Sequence, residues 1–164
     1  MPRGHRADGA QSGVEVGLVN RVSKAMMRTA GKAAVFVYRR SGGRMGGKAL
    51  GGAPVLLLTV AGRKSGTPHT TAVSYFEHDG GYVVVGSAGG TPNEPQWFKN
   101  VRKAATAAVE VGPAPRRSVG IRVLTGEERD RVWTDVVLAQ VPAFAKYETK
   151  SGRPMPLALL TPVG

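Results

Sequence analysis

Along the first third of the chain, Leu18, Val22, Ala25, Met26, Thr29, Ala33 and Phe36 recur at intervals of three and four. Arg21, Lys24, Arg28, Lys32 and Arg39 follow another face of the same helical wheel. The spacing predicts a basic amphipathic helix over about 18–38. Ser41 to Gly52, with six glycines in twelve residues, reads as a flexible linker. After Pro54 the pattern turns to β, with strands expected at about 55–60, 69–77 and 81–87. His78-Asp79-Gly80-Gly81 is a compact hairpin signal between the last two.

A short helix over about 95–103 carries Trp97 and Phe98. Strands near 105–111 and 116–124 follow, separated by Gly112-Pro113-Ala114-Pro115, whose composition is that of a connecting turn. Thr125-Gly126-Glu127-Glu128 has the form of a capping box and opens a helix that Pro142 would stop after Val141. A helical turn around Phe144 to Tyr147 precedes a last strand, Pro156 to Thr161. Six short strands joined mostly by hairpins or single helices predict a mainly β, α+β domain: an antiparallel sheet closed into a small barrel with flanking helices. The expected organisation is a disordered tail over 1–17, the basic helix and glycine-rich linker over 18–52, and the barrel over 53–164.

Charge changes this picture at the front of the chain. The 164 residues carry a net charge of +12, and between Val16 and Phe76 ten Lys or Arg occur without one carboxylate. Such a region attracts phosphate, a polycarboxylate or an anionic bilayer, and it is equally the composition of a solvated basic surface. An amphipathic helix of this kind either lies on an anionic membrane through residues 18–40 or packs its apolar face on the domain. The tail has no apolar core of a signal peptide, and the apolar runs are too short to span a bilayer. Cysteine is absent and His5, His69 and His78 are scattered, so disulfides are excluded and no metal is expected. A reducing cytosol is compatible with this composition.

Candidate chemistry gathers between Pro54 and Asn100. Arg63 and Lys64 lie between a strand and Ser65-Gly66, where backbone N–H groups and two cations can face one anion; they are also ordinary turn residues. Ser87 precedes Ala88-Gly89-Gly90, and small residues there let a flat ring approach the backbone. Trp97 either covers such a ring or belongs to the core. Phe144 and Tyr147 either wall a pocket or seal the barrel end. His69 either meets phosphate or is a plain strand residue. Gly42-x-x-x-x-Gly47-Lys48 imitates a nucleotide loop, but Ala49 replaces its Ser or Thr and no strand precedes it. No nucleophile elbow or paired carboxylates stand out, which leaves the chemistry to a bound cofactor.

Taken in order, Leu-Leu-Leu-Thr-Val-Ala-Gly-Arg-Lys-Ser-Gly-Thr-Pro, Gly-Ser-Ala-Gly-Gly, Pro-Gln-Trp-Phe-Lys-Asn, Pro-Ala-Phe-Ala-Lys-Tyr and Arg-Pro-Met-Pro resemble the deazaflavin-dependent nitroreductase family of actinobacteria, over roughly Gly51 to Pro162. The resemblance implies a split β-barrel of the FMN-binding type and hydride transfer from reduced coenzyme F420, an 8-hydroxy-5-deazaflavin with a phosphate and an oligoglutamate tail. It implies an electron-poor small hydrophobic substrate: an activated enone, a quinone or a nitro compound. It assigns Arg63, Lys64, Ser65, His69, Gly86, Ser87, Ala88, Gly89, Pro95, Gln96 and Trp97 to the cofactor and Tyr75, Phe144 and Tyr147 to the substrate. Ser87 and Tyr147 would be the catalytic groups, and no metal takes part. Ala88 stands where some relatives carry a lysine. Two other readings remain: an FMN-dependent oxidoreductase on the same barrel, and a non-catalytic module for an anionic surface. Nucleic acid is not an expected partner, because no recognition motif interleaves the cations with aromatics.

Overall fold

The computed structural model describes residues 11–164 and divides into two compact units, one ending at Ala33 and the other running from Ala34 to Gly164. The first ten residues of the expected tail lie outside the described residues. Helix α1, Gln11–Ser41, starts earlier and ends later than the sequence pattern predicts. In the first unit it presents Met26 and Met27 to solvent, at 68% and 69% exposure.

The second unit is built on six antiparallel strands: β1 Val55–Ala61, β2 Pro68–His78, β3 Gly81–Val85, β4 Thr106–Glu110, β5 Arg117–Leu124 and β6 Leu157–Pro162. They close in the order β1-β2-β3-β6-β5-β4, the barrel expected from the strand pattern. The hairpin between β2 and β3 turns through Asp79 and Gly80, both at positive φ (49° and 71°), as a two-residue primed turn requires. Gly86 and Ser87, expected at the end of β3, lie just beyond it and begin a loop.

The strands are apolar on alternate or on both faces according to what covers them. Leu56, Leu58, Val73, Val84, Val109, Val119, Ala158 and Leu160, from all six strands, fill the barrel, closed at one end by Phe98 and Val101 of α2 (Gln96–Val101). The alternate residues Val55 and Leu57 of β1 pack outward on Val35 and Tyr38, so β1 reads as an unbroken apolar run. On the far side, Val83, Val85, Leu157 and Leu159 are covered by Val132, Trp133 and Val137. These come from α3 (Gly126–Val132) and its continuation as a π-helical segment, Trp133–Leu138. The predicted single α-helix thus changes pitch in the middle.

Two local expectations are corrected. The Thr125 side chain makes no cap hydrogen bond, and the Glu128 carboxylate, expected to reach back to the Thr125 N–H, instead takes two bonds from Arg122, at 2.6 and 2.8 Å. For that carboxylate, two bonds to a guanidinium replace a single bond to a backbone N–H. The glycine-rich segment after α1 is also tied down rather than loose: Gly43 N–H donates to Tyr38 O (2.9 Å) and Val55 N–H to Gly47 O (2.9 Å). Lys48 bridges to Pro54, and the nucleotide-loop imitation here is a connector hydrogen-bonded to β1.

Candidate active site

The turn between β1 and β2 is set by its own backbone. Gly62 N–H donates to Thr67 O and Gly66 N–H to Gly62 O, both at 2.8 Å, and Gly66 takes a φ of 72° that favours glycine. A Cβ on Gly62 would meet Ser65 Oγ at 3.0 Å and His69 Nε2 at 3.1 Å. Glycine is therefore what lets the Ser65 hydroxyl and the His69 ring crowd the base of the turn. Arg63 and Lys64 project from its exposed tip.

Arg63 is oriented without being neutralised. Its NH1 donates to Asn100 Oδ1 at 2.9 Å and its NH2 to Gln96 Oε1 at 2.7 Å. Asn100 Oδ1 also accepts the Arg63 N–H at 3.2 Å. Asn100 is buried, and Gln96 and Asn100 stand four apart on one face of α2. Amide oxygens direct a guanidinium but do not cancel its charge. Among the described residues, Arg63 and Lys64 form no ion pair, whereas Arg102, just past the end of the same helix, is neutralised by Glu94 at 2.7 Å. That pair holds the Arg102 guanidinium above its usual range.

The same short helix joins this turn to the glycine-rich loop. A Cβ on Gly86 would lie 2.7 Å from Pro156 and 2.9 Å from the Phe98 ring, so a glycine is required for α2 to pack there. Trp97 is half-buried beside Phe98, with ring centroids 5.4 Å apart, and Pro95 begins the helix, its carbonyl accepting the Phe98 and Lys99 N–H groups. Ala88 and Gly89 both take positive φ, 47° and 64°; a Cβ on Gly89 would have nothing within 4 Å. The backbone there is open to a flat ligand.

Helix α4, Ala145–Ser151, closes the other side. A Cβ on Gly90 would touch Lys150 at 3.0 Å and the Tyr147 ring at 3.3 Å, and Lys150 Nζ donates to Gly89 O at 3.2 Å. Tyr147 stands edge-on to Phe144 (5.1 Å) and Phe144 to Phe76 (5.5 Å). Phe144 is itself buried core, so Tyr147 is the member of the pair that reaches the loop. The Ser87 and Tyr147 hydroxyls have no hydrogen-bond partner among the described residues. Arg129 holds α4 in place, donating to Met155 O at 3.0 Å and to the Glu148 carboxylate, which accepts the Met155 N–H at 2.9 Å.

The structure therefore links Arg63, Gln96, Trp97, Gly86, Ser87, Gly89 and Tyr147 through α2 and the 86–90 loop. It does not bring Tyr75 to them: that ring stands edge-on to Tyr82 (5.4 Å) against the barrel interior, and burial holds its phenol above the ordinary range. Sequence reasoning gave no role to Asn100, Arg129, Glu148 or Arg153. The four-residue spacing of Gln96 and Asn100 was the signal available for the first of these. Among the described residues there is no group of three or more His, Asp or Glu side chains that could hold a metal.

The residues present fit a cofactor with a flat ring and an anionic tail, on two counts: the oriented, unneutralised Arg63 and the uncovered backbone at Gly89. Comparison with known proteins gives that cofactor a name. Residues 16–162 match the F420H(2)-dependent quinone reductase family. An F420H(2)-dependent quinone reductase of Mycobacterium tuberculosis strain H37Rv is 32% identical over 127 residues, covering 76% of this chain and 85% of the relative. A solved F420-H2 dependent reductase, FDR-A, is 33% identical with a TM-score of 0.58, covering 65% of this chain and 93% of that one. A further solved structure, described as a domain-swapped dimer, is 27% identical with a TM-score of 0.61, covering 87% and 98%. The chain belongs to the F420H(2)-dependent quinone reductase family, enzymes that take hydride from reduced coenzyme F420 and deliver it to quinones.

Proposed function

We propose that the cationic turn, α2, the 86–90 loop and Tyr147 form one active site, divided by charge. Arg63 and Lys64 hold the phosphate and oligoglutamate tail of the cofactor, with Ser65 and His69 at the base of that turn. Gly86, Ser87, Ala88 and Gly89 support the ring from the backbone side, while Pro95, Gln96 and Trp97 border it. When bound, reduced coenzyme F420 supplies the hydride. The protein's own part is to place the acceptor carbon against the donor, to keep the ring flat on the open backbone at Gly89, and to hydrogen-bond the acceptor oxygen. The free hydroxyls of Ser87 and Tyr147 are the side-chain donors for that oxygen; water supplies the proton that completes the quinol. Activated enones and nitro compounds present the same electron-poor centre and fall within the proposed substrate range.

The observation that carries this reading is Arg63: a guanidinium fixed by two amide oxygens and matched by no carboxylate among the described residues. An FMN phosphate could also meet it, but Lys64 beside it suits a longer polyanion. The basic face of α1, with Arg21, Arg28 and Lys32 exposed beside Met26 and Met27, supports a peripheral place on an anionic membrane at the cytoplasmic face, where lipid quinones are found. No helix of the described residues is long and apolar enough to cross a membrane. Steady-state reduction of a short-chain quinone by reduced coenzyme F420 tests the site: Tyr147→Phe and Ser87→Ala should each lower kcat while KM for the cofactor stays within about twofold. Unchanged kcat in both variants and in their combination would place the acceptor elsewhere.

A further inference from the structure

In the loop from Gly86 to Asn93, Lys150 holds one carbonyl, that of Gly89, and Arg153 holds four. Arg153 NH1 and NH2 both donate to Gly86 O at 3.3 Å, and NH2 also reaches Ser87 O at 3.3 Å and Asn93 O at 3.2 Å. Its Nε donates to Thr91 O at 3.2 Å. Every acceptor is a backbone carbonyl; among the described residues Arg153 pairs with no carboxylate.

This arrangement fixes where the opposite ends of two peptides point. No cis peptide occurs among the described residues, and a trans peptide sets its C=O and N–H on opposite sides. With the Gly86 and Ser87 carbonyls turned to the guanidinium, the N–H groups of Ser87 and Ala88 point away from it. Ser87 is right-handed helical (φ −73°, ψ −33°) and Ala88 has φ 47°, the succession that turns consecutive N–H groups into one concave anion nest. Gly90 and Thr91 N–H groups are consumed inside the loop, by Ser87 O and Ala88 O. Those of Ser87, Ala88 and Gly89 donate to no acceptor among the described residues. Ala88 keeps a conformation that an L-residue adopts at a cost, as at many functional sites. A cation bonded to the carbonyl end of a peptide also polarises its N–H and makes it a stronger donor.

We propose that Arg153 is a positioning residue for the family's reaction: it holds the Gly86–Asn93 loop so that the Ser87, Ala88 and Gly89 N–H groups form a preset nest for a carbonyl-type oxygen that gains negative charge. This rests on the reading of the loop as the place where ring and acceptor meet. Both the deazaflavin pyrimidine carbonyl and the quinone oxygen have the required chemistry.

Ser87 offers a way to test a backbone donor, since its φ suits proline and a glycine precedes it. Ser87→Ala removes the hydroxyl alone; Ser87→Pro removes hydroxyl and N–H. Coenzyme F420 binding by fluorescence, steady-state quinone reduction and thermal midpoint should be measured for both, and for Arg153→Lys and Arg153→Ala. The expected result is a loss for Ser87→Pro about tenfold or more beyond Ser87→Ala. Arg153→Lys should show a loss in the same constant, and added guanidinium should partly restore Arg153→Ala. If the Kd for coenzyme F420 carries the loss, the nest holds the cofactor oxygen; if kcat carries it at unchanged Kd, the nest holds the quinone oxygen. Equal constants for Ser87→Pro and Ser87→Ala overturn the nest and leave the site reading standing. Should Ser87→Pro not fold, Arg153 decides: variants that lower only the thermal midpoint, without guanidinium rescue, overturn the proposal. If neither Arg63→Ala nor any loop variant alters coenzyme F420 binding, the site reading itself falls, and the nest with it.

Discussion

Single residues decide whether the site is built for an anion or is merely polar. Replacing Arg63 and Lys64 together by Ala should raise the Kd for coenzyme F420 about tenfold or more, the loss of at least one charge-assisted hydrogen bond. The thermal midpoint should move little, because both side chains are exposed at a turn tip. Titration at moderate salt beside thermal melting checks both halves of this statement. Gly86 makes the opposite demand. A methyl group there would press on Pro156 and Phe98 at under 3 Å, so Gly86→Ala should destabilise the fold by about 1–3 kcal/mol by overpacking, readable as a lower urea midpoint. At this scale the sequence shows which residue types meet, since a strand, a cationic turn and a glycine-rich turn follow one another in order. It does not show what orients them. Gln96 and Asn100 read as an ordinary polar helix face until their partner, Arg63 in the turn after β1, is known. Arg153 lies 60 to 67 positions from the loop carbonyls it holds, a distance that no local pattern spans.

Elements differ in how far local patterns control them. The β2–β3 hairpin and the Gly112–Pro115 turn follow from residues within the turns themselves, and both stand where the sequence places them. The start of α3 does not: Thr125 and Glu128 satisfy the local capping rule, yet Arg122 on the neighbouring strand claims the carboxylate. The π-helical pitch of Trp133–Leu138 leaves no mark in the apolar spacing. The last turns of α1 are the most consequential case. Val35 and Tyr38 are core, with Tyr38 Oη donating to Val55 O at 2.9 Å and accepting the Gly112 N–H at 2.8 Å. A chain beginning at Ala34 should therefore fold, whereas one beginning after Arg40 should be unstable or insoluble; circular dichroism and urea melting of the two truncations check this. Arg39 ties the same turn to β4 through Glu110, at 2.8 Å, and the hydrogen bond from Arg39 holds the Glu110 carboxyl below its usual range. A depressed carboxyl contributes stability above its unfolded value and loses it as pH falls through the folded one. Stability should thus fall on acidification below the ordinary carboxylate range. In Glu110→Gln this part of the fall should be missing, a small effect for a surface pair.

Across the whole molecule, hairpin spacing is enough to predict an antiparallel barrel, but not the non-local pairings β3–β6 and β1–β4 that close it. Those pairings depend on which faces are apolar on both sides, and β1 and β6 become intelligible only with their outer layers in place. The uneven charge is a property of the whole chain as well: if the basic helix serves an anionic surface, binding to vesicles of mixed anionic and neutral lipid should weaken steadily with salt. It should also be reduced in the chain beginning at Ala34, as flotation or sedimentation would show. Cofactor choice rests on one joint, the oriented and unneutralised Arg63 turn beside an open glycine backbone. Fluorescence titration of the purified protein with oligoglutamylated coenzyme F420 and, in parallel, with FMN tests it most directly. Saturable deazaflavin binding that weakens as salt rises, and is clearly tighter than that of FMN, is the predicted result. Micromolar FMN binding without measurable binding of coenzyme F420 would contradict it.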